Sequence, residues 1–345
     1  MKNTFRSFLN RHYLKMLALV LVLIPLASRS QYIYQVAITC CIYCLFTISV
    51  NLVTGFTGQL SLGQVAFYAI GAYASTLFSM RLSIPVLIAM PLGGLVAAFF
   101  GFLIGFPALR LSGVYLGIAT LGFAEIVRQV SLVWRDLTRG PLGINRIPRP
   151  EIFGILIDSG LEYFILILLM LALVYVAMER LVRSKVGLVL LSLREDEVAA
   201  SSLGIDVSFY KILAFVLSAF IAGLAGAFMA HFITYISPSN FISAESFLVL
   251  SMYVLGGPAS LPGSIAGAIL LSVASEALRF LQGYRQIFYA VLLIAVILYK
   301  PEGLSGFLGT TKIRAGLPKD LGEMDLVKNT GPGASTEKGK KEGTL

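Results

Sequence analysis

The sequence predicts an all-α, polytopic integral membrane protein with about eight to ten transmembrane helices. Of its 345 residues, 57% are hydrophobic and 13% are charged, and the mean hydropathy is +0.85, whereas about a quarter of the residues in soluble domains are charged. Apolar runs recur along the chain, and most approach the roughly 20 residues that a helix needs to cross a bilayer. Glycine-rich stretches interrupt these runs, so some crossings are expected to be broken or re-entrant.

The apolar runs define the predicted elements in order. They comprise residues 16–27, 33–53, 60–80, 85–109, 114–133, 161–178, 212–236 and 287–299, with a further broken region at 247–281. The first run follows four basic residues, as in a signal peptide, but it lacks a good small-residue cleavage site. Residues 1–30 are therefore expected to be a cytoplasmic N-terminus with a short, uncleaved helix. Residues 31–304 form the membrane domain, and the polar, glycine-rich residues 305–345 predict a disordered cytoplasmic tail.

The basic residues predict the orientation of the chain. The 27 Lys and Arg give a net charge of +9, but they lie between the apolar runs and in the tail, so we expect a lipid bilayer and no nucleic acid as partner. The positive-inside rule places the N-terminus and residues 179–211 in the cytoplasm. Counting crossings puts residues 137–160 outside, and there the count conflicts with the rule because of four arginines: Arg135, Arg139, Arg146 and Arg149.

A polar, glycine-rich stretch at residues 51–75 predicts a path for a solute. Irregular polar backbone at membrane depth is tolerated only where protein or a water-filled cavity surrounds it. Its glycines allow close approach, and its amides and hydroxyls supply hydrogen bonds without charge. The predicted lining consists of Asn51, Gly55, Gly58, Gln59, Ser61 and Gln64, with Tyr115 and Thr120 from the run at 114–133. The alternative is an aqueous turn at 55–59 followed by ordinary helix-packing glycines.

The broken region at 247–281 resembles this stretch weakly. VTGFTGQLSLG and VLGGPASLPG share the spacing of Val, Gly, Leu and Gly, which indicates a weak internal repeat. Two interrupted segments in comparable halves indicate a path between the pseudo-symmetric halves of a transporter. We therefore add Gly256 and Gly257 to the predicted lining. If the tail is cytoplasmic, this region must cross the membrane an even number of times.

Two loops have local signals. Residues 137–157 contain three prolines and three glycines, which predict an ordered external loop with short turns, serving either as a docking site or as a connector. Within residues 179–211, Ser192 is a candidate helix N-cap with Glu195 three residues later, and Gly204 would end the helix. A short surface helix of this kind can be gripped by another protein, or it can be a solvated connector.

Other reactive side chains have structural interpretations. Glu125 and Arg128 lie three residues apart, where they can neutralise each other on one helix face, and we prefer this to a gating role. Cys40, Cys41 and Cys44 lie in one apolar run and are expected to be packing residues. With two histidines in the chain, no metal site is expected.

The sequence has no phosphate-binding loop and no nucleophile paired with a base, so we expect a transport protein without an enzymatic site of its own. The apolar runs are nearly free of acids apart from Glu125 and Glu276, whereas ion-coupled transporters generally use intramembrane acids. A passive path opened by an external motor is therefore favoured, and an ion-coupled secondary transporter is the alternative.

Four passages of the sequence resemble those of a known family. NLVTGFTGQLSLGQVAFYAIGAYAS, GVYLGIATLGFAEIVR, REDEVAASSLGI and VLGGPASLPG occur in the order seen in the permease subunits of branched-chain amino-acid ABC importers. The chain resembles the longer of the two paired permeases over roughly residues 33–304. Two departures are Arg139, where the family more often has glycine, and Pro258 with Ala259, where it often has Met or Gly.

The resemblance implies a set of partners. These are a second, homologous permease, two cytoplasmic ATP-binding subunits that bind ATP and Mg, and an external solute-binding protein, all at the inner membrane. No cofactor is expected on this chain itself. The residues that match the ATPase-coupling loop are Arg194, Glu195, Asp196, Glu197, Ala199, Ala200 and Gly204. The implied solute is a branched-chain or related neutral amino acid, with urea or short amides as the alternative within the family.

Overall fold

The structure, a computed structural model, describes residues 30–108, 111–152, 155–277 and 303–306, with the isolated positions 291, 294 and 298. The chain divides into two compact units, 1–312 and 313–345, and every described residue lies in the first. The α-helices are α1 (Gln31–Val50), α2 (Gln64–Arg81), α3 (Val86–Ala108), α4 (Gly113–Val133), α5 (Arg135–Thr138), α6 (Gly160–Val182), α7 (Lys185–Glu195), α8 (Glu197–Ser202), α9 (Val207–Ile233), α10 (Ser243–Gly256) and α11 (Leu261–Ala277).

The described residues confirm an all-α membrane protein. Six of their helical segments are long and apolar enough to cross a bilayer: Gln31–Phe56, Val86–Pro107, Gly113–Val133, Gly160–Val182, Val207–Ile233 and Pro238–Gly256. α11 is a shorter apolar helix, and α2 takes the place of the predicted run at 60–80. The predicted first run, nearly all of the last run and the tail beyond residue 306 lie outside the described residues.

The core forms where α9 packs against α2 and α3. At Gly71 on α2, a Cβ atom would overlap the backbone of Gly223 on α9, and a Cβ at Gly226 would overlap the carbonyl oxygen of Tyr68. The two backbones therefore touch, which is how helices associate in lipid without a hydrophobic driving force between them. The packing interpretation of Gly71 is confirmed.

The first part of the glycine-rich stretch is more regular than the sequence suggested. Asn51–Phe56 continues α1 as a π-helix, and the irregular backbone is confined to residues 57–63. The prediction that the break begins at Asn51 is therefore wrong. Gly55 lies inside this helix and does not end it. The lack of a side chain at this position makes room for Asn51.

The loop that follows α4 is ordered, as its prolines and glycines predicted. Short strands β1 (Ile144–Asn145) and β4 (Tyr235–Ile236) pair antiparallel, and β2 (Glu151–Ile152) pairs with β3 (Ile155–Leu156). Because β4 directly follows α9, the β1–β4 pair attaches this loop to the end of that helix.

His231 adds a second attachment for this loop. Its Nδ1–H donates a hydrogen bond to the carbonyl oxygen of Pro148 at 2.7 Å, and its Nε2 pairs with the hydroxyl of Ser75 at 2.8 Å. The ring is fully buried. The loop, α9 and α2 are thus joined through one side chain.

The remaining reactive groups agree with their structural interpretations. Arg128 and Glu125 form an ion pair at 2.5 Å on α4, which confirms the self-neutralised pair. Cys40, Cys41 and Cys44 are buried free thiols in α1, as expected of packing residues. In the described part of the chain, no three His, Cys, Asp or Glu side chains come together as metal ligands.

Candidate functional site

Asn51 joins the two interrupted segments that the sequence compared. Its Oδ1 accepts the backbone N–H of Ala259 at 3.0 Å, and its Nδ2 donates to the carbonyl oxygen of Ser260 at 3.1 Å and to the hydroxyl of Ser264 at 2.7 Å. The side chain is completely buried. Asn51 therefore has its donors and its acceptor satisfied within the chain and acts as a clamp between the π-helix and the start of α11.

Gly55 and Gly58 explain why the clamp and its neighbour fit. A Cβ at Gly55 would overlap Oδ1 of Asn51 and would lie 2.9 Å from the backbone nitrogen of Ala259. Gly58 has a φ of +73°, a conformation that glycine adopts without strain, and it faces the side chain of Arg194. Gly55 therefore makes room for Asn51 within the membrane segment, and Gly58 makes room for Arg194 of the loop at residues 179–211.

Three predicted lining residues have polar atoms with no partner in the described structure. Gln59, Ser61 and Gln64 are 4%, 2% and 1% exposed, and neither the two amide groups nor the hydroxyl makes a hydrogen bond there. Buried polar groups are nearly always hydrogen-bonded, by protein or by water. Such a concentration of unsatisfied groups within six residues indicates contact with water or with a polar ligand.

Gln64 is also the first residue of α2. Its N-cap is Gly63, which has no side chain to cap the first N–H groups of the helix. Helix N-termini carry partial positive charge and unpaired N–H groups, which favour a carboxylate. The helix end therefore carries partial positive charge, and the amide of Gln64 beside it adds hydrogen-bonding groups without a formal charge.

Thr120 and Tyr115 lie in different surroundings. The Thr120 hydroxyl accepts the N–H of Leu62 at 3.0 Å and donates to the carbonyl of Gly117 at 3.0 Å, so it fixes the irregular segment to α4. Tyr115 is 75% exposed on the surface of the chain. The structure thus does not bring Tyr115 together with Asn51.

The second break is a tight helical hairpin. α10 ends at Gly256, and Gly257 has a φ of +100°. Cβ atoms at Gly256 and Gly263 would each overlap the other residue's backbone, so α10 and α11 are in direct backbone contact at this turn. Ala259 occupies a left-handed conformation with a φ of +54°, which glycine favours. The region at 247–277 thus contains two consecutive helices, and the number of times that it crosses the membrane stays a prediction.

The loop at residues 179–211 contains two helices instead of one. The predicted N-cap at Ser192 is wrong, because Ser192 lies inside α7 and its hydroxyl donates to the carbonyl of Val189. The cap is Asp196, whose carboxylate accepts the N–H groups of Val198 and Ala199 at 2.8 and 3.0 Å and starts α8. An Asp at this position satisfies the orphan N–H groups as well as a Ser would.

The loop is held to the membrane helices at two points. Arg194 donates a hydrogen bond to the carbonyl oxygen of Gly55 at 3.0 Å, and Glu197 forms a 2.6 Å ion pair with Lys211 of α9, whose side chain is 6% exposed. Ala200 is buried, whereas Glu195 and Ala199 are exposed. Gly204 ends the turn after α8 with a φ of +81°, as predicted for the glycine that ends the helix, whereas its place in an ATPase-coupling loop stays a prediction.

Sequence reasoning missed Glu245. It lies in the first turn of α10, inside the Pro238–Gly256 span, and its carboxylate accepts a hydrogen bond from the hydroxyl of Tyr43 at 3.1 Å. We expected few acids in the spans besides Glu125 and Glu276. Glu245 was missed because the apolar region was taken to begin at Phe247. An acid close before a broken apolar run is the signal that could have found it.

Comparisons with known proteins agree with this architecture. The family described as branched-chain amino acid transport system / permease component matches residues 32–298. The high-affinity branched-chain amino acid transport system permease protein LivM of Escherichia coli is 38% identical over 286 residues, 76% of this chain and 67% of the relative. No solved structure matches the chain.

Two further relatives are similar at lower coverage or identity. The permease protein LivH of the same transport system in Escherichia coli is 33% identical over 127 residues, 36% of this chain and 40% of the relative. The ribose import permease protein RbsC of Haemophilus influenzae is 24% identical over 267 residues, 74% of this chain and 78% of the relative. The prediction of an ABC-importer permease is confirmed, and the chain belongs to the family of permease components of branched-chain amino acid transport systems.

Proposed function

We propose that this chain is one of two paired permeases in an importer that carries branched-chain or related neutral amino acids across the inner membrane. The single observation that supports the path is the group of unsatisfied polar atoms on Gln59, Ser61 and Gln64. They are buried, uncharged and next to an uncapped helix N-terminus. A zwitterion can exchange its hydration for such groups without an isolated charge being left in lipid.

The second permease is proposed from the relatives. LivM and LivH are named as permeases of one transport system, and this chain is similar to both. Two cytoplasmic ATP-binding subunits, which would bind ATP and Mg, and an external solute-binding protein would complete the importer. No nucleotide or metal is assigned to this chain.

The proposed link to the ATPases is the α7–α8 loop, residues Lys185–Glu195 and Glu197–Ser202. Its exposed charges can contact a partner, while Arg194 and Glu197 fix it to the membrane helices. A displacement of the loop would reach Gly55 through Arg194 and then Ser264 through Asn51. This chain of contacts is short enough to change the π-helix and the start of α11 together.

The orientation that this link requires places the α7–α8 loop in the cytoplasm. The N-terminus and the tail beyond residue 304 would then be cytoplasmic, with residues 31–304 as the permease domain. The loop between α4 and α6 would face the outside, where the binding protein docks. The four arginines Arg135, Arg139, Arg146 and Arg149 would then be available to that docking surface.

The solute is tested by transport. The full importer, reconstituted in proteoliposomes with ATP inside and its binding protein outside, should accumulate L-leucine in an ATP-dependent manner that resists an uncoupler. D-ribose and urea serve as the competing solutes, since a ribose importer shares the similarity. Uptake that survives ATP depletion and collapses with an uncoupler would instead establish an ion-coupled transporter.

A further inference from the structure

Glu245 lies at the level of the middle of the Gln31–Phe56 span. Its hydrogen-bond partner Tyr43 is the thirteenth of the 26 residues in the Gln31–Phe56 span, about 20 Å along a helix of about 39 Å. In the described part of the chain, no Lys, Arg or His is within ion-pair distance of Glu245. An intramembrane acid without a basic partner in the described part of its chain requires a compensating group from elsewhere.

The surroundings of Glu245 are aromatic. Tyr68 stacks on Phe46 at 4.6 Å between ring centroids, and it meets the edge of Phe241 at 5.8 Å. Tyr68 also lies within electrostatic range of Glu245. A carboxylate beside an aromatic wall offers two different contacts, one for a cationic group and one for an apolar side chain.

Two more polar groups in this region lack partners. Tyr73 packs against Phe241, with 5.6 Å between ring centroids, and its buried hydroxyl has no hydrogen-bond partner among the described residues. The same holds for the hydroxyl of Ser246, the residue after Glu245, which is 4% exposed. Buried hydroxyls without partners, on a tyrosine that packs against Phe241 and on the residue after Glu245, indicate that the site is completed by a ligand or by water.

Glu245 itself is half-buried. A carboxylate at this depth cannot face hydrocarbon without a large cost, so its open side must face water or protein. The face of α10 that carries Glu245 is therefore the face turned toward the transport path or the second permease.

Gln64 lies one helical turn before Tyr68 on α2. Residues four apart share one face of a helix, so the unsatisfied amide of Gln64 and the ring of Tyr68 lie on the same face of α2. Tyr68 thus lies one turn after the electropositive end of α2 and within electrostatic range of Glu245. This order of charge matches the carboxylate and the ammonium of an amino acid.

We propose that Glu245, oriented by Tyr43, binds the α-amino group of the transported amino acid, while the aromatic residues Phe46, Tyr68 and Phe241 contact its side chain. This inference rests on the function proposed above. The ammonium supplies the positive charge that Glu245 lacks, and it leaves with the solute. The acid thus selects solutes that carry an amino group.

A second tyrosine–glutamate pair provides a matched control. The hydroxyl of Tyr32 donates to Glu276 at 2.7 Å and joins α1 to α11, but Tyr32 is the second residue of its span, near the membrane surface. The two pairs have the same chemistry at different depths. A purely structural role for a tyrosine–glutamate contact would make their variants behave alike.

The test compares Glu245→Gln with Glu276→Gln in the complete importer, per assembled complex. We expect Glu245→Gln to lower the maximal rate of L-leucine uptake about tenfold or more, since a charge-assisted contact is lost, while nucleotide hydrolysis stimulated by the binding protein continues. Glu276→Gln should stay within about twofold of the unmodified importer. Glu245→Asp should retain part of the uptake.

A second measurement uses the unmodified protein, so it does not depend on the folding of a variant. A hydrophobic carbodiimide should label Glu245 in the importer during turnover. Saturating L-leucine should protect it, whereas 4-methylpentanoate, which lacks the amino group, should not. Labelling of Glu276 provides the internal reference and should be unaffected by either compound.

The outcomes separate the two proposals. If the unmodified importer carries no amino acid, the proposed function fails. If it carries L-leucine but Glu245→Gln carries it equally well, or L-leucine gives Glu245 no protection, only the inference about Glu245 is overturned.

Discussion

The guanidinium group of Arg194 donates a hydrogen bond to the carbonyl oxygen of Gly55 at 3.0 Å, across 139 residues of sequence. Gly58 faces the stem of the same side chain. One arginine of the α7–α8 loop is therefore in contact with the π-helix that holds Asn51. The contact gives the loop a direct mechanical connection to the interrupted membrane segments.

Arg194→Ala should uncouple nucleotide hydrolysis from uptake. Removing the side chain breaks the contact with Gly55, and the loop keeps its other attachment through Glu197 and Lys211. We expect hydrolysis to continue while L-leucine uptake falls by about tenfold. Arg183→Ala, at an exposed pair before the loop, is the control. Normal uptake by Arg194→Ala would show that the contact between Arg194 and Gly55 does not couple the loop to the membrane segments.

Gly55→Ala should abolish uptake through a clash with Asn51. The added Cβ would overlap Oδ1 of Asn51, so the clamp on Ala259 and Ser264 must open. In an Asn51→Ala background the same change should cost much less, because the clashing atom is gone, and the two effects will not add. Gly122→Ala on α4, where nothing lies within 4 Å, should have little effect. Additive losses would disprove the clamp.

Gln64→Leu should leave the thermal stability of the protein unchanged or raise it, and should nevertheless lower uptake. The amide of Gln64 has no partner to lose in the described structure, whereas the amide of Asn51 has three. Asn51→Leu should therefore lower the free energy of unfolding by about 2–3 kcal/mol. Thermal unfolding in detergent, measured beside uptake, distinguishes the two. Equal destabilisation would mean that Gln64 has a structural partner.

Charge reversal at Glu197 should lower stability more than charge reversal at Glu195. Glu197→Lys places a second positive charge beside the buried Lys211, which we expect to destabilise the loop by about 1–3 kcal/mol. Glu195 is exposed, so Glu195→Lys should leave stability within about 0.5 kcal/mol. Both variants should impair coupling to the ATPases. A stable Glu197→Lys protein would contradict the role of the ion pair.

Arg139→Gly should be more stable than Arg139→Ala by about 1 kcal/mol. Arg139 has a φ of +61°, and a left-handed conformation costs L-residues roughly 1–2 kcal/mol, part of which the greater freedom of unfolded glycine offsets. Thermal unfolding of the two variants measures the difference directly. The reverse order would show that the backbone at position 139 is not strained.

Much of the fold could be predicted from hydropathy and from the positions of proline and glycine. Runs of apolar residues predicted the spans, and the prolines and glycines of residues 137–157 predicted an ordered loop. Arg139 and Ala259, which belong to the two departures from the family pattern, both occupy left-handed backbone. Sequence alone identified them as unusual, but only the backbone angles supply the physical reason.

The contacts of the candidate site could not be predicted in this way. Asn51 was expected to offer free hydrogen bonds, but its partners lie more than 200 residues away, and no local pattern encodes such a pairing. Glu245 was overlooked because the apolar region was taken to begin two residues later, at Phe247. Its level near the middle of the Gln31–Phe56 span follows only from its contact with Tyr43 on another helix.

The π-helical turn at Asn51–Phe56 limits how the gene can change. A π-turn contains one residue more than an α-turn, so deleting a residue of this segment would change which residues lie one turn after Asn51. Arg194 would then lose its contact with Gly55, and the approach of Gly58 to the α7–α8 loop would be lost as well. Homologous genes can therefore exchange codons here, but insertions and deletions should be purged by selection.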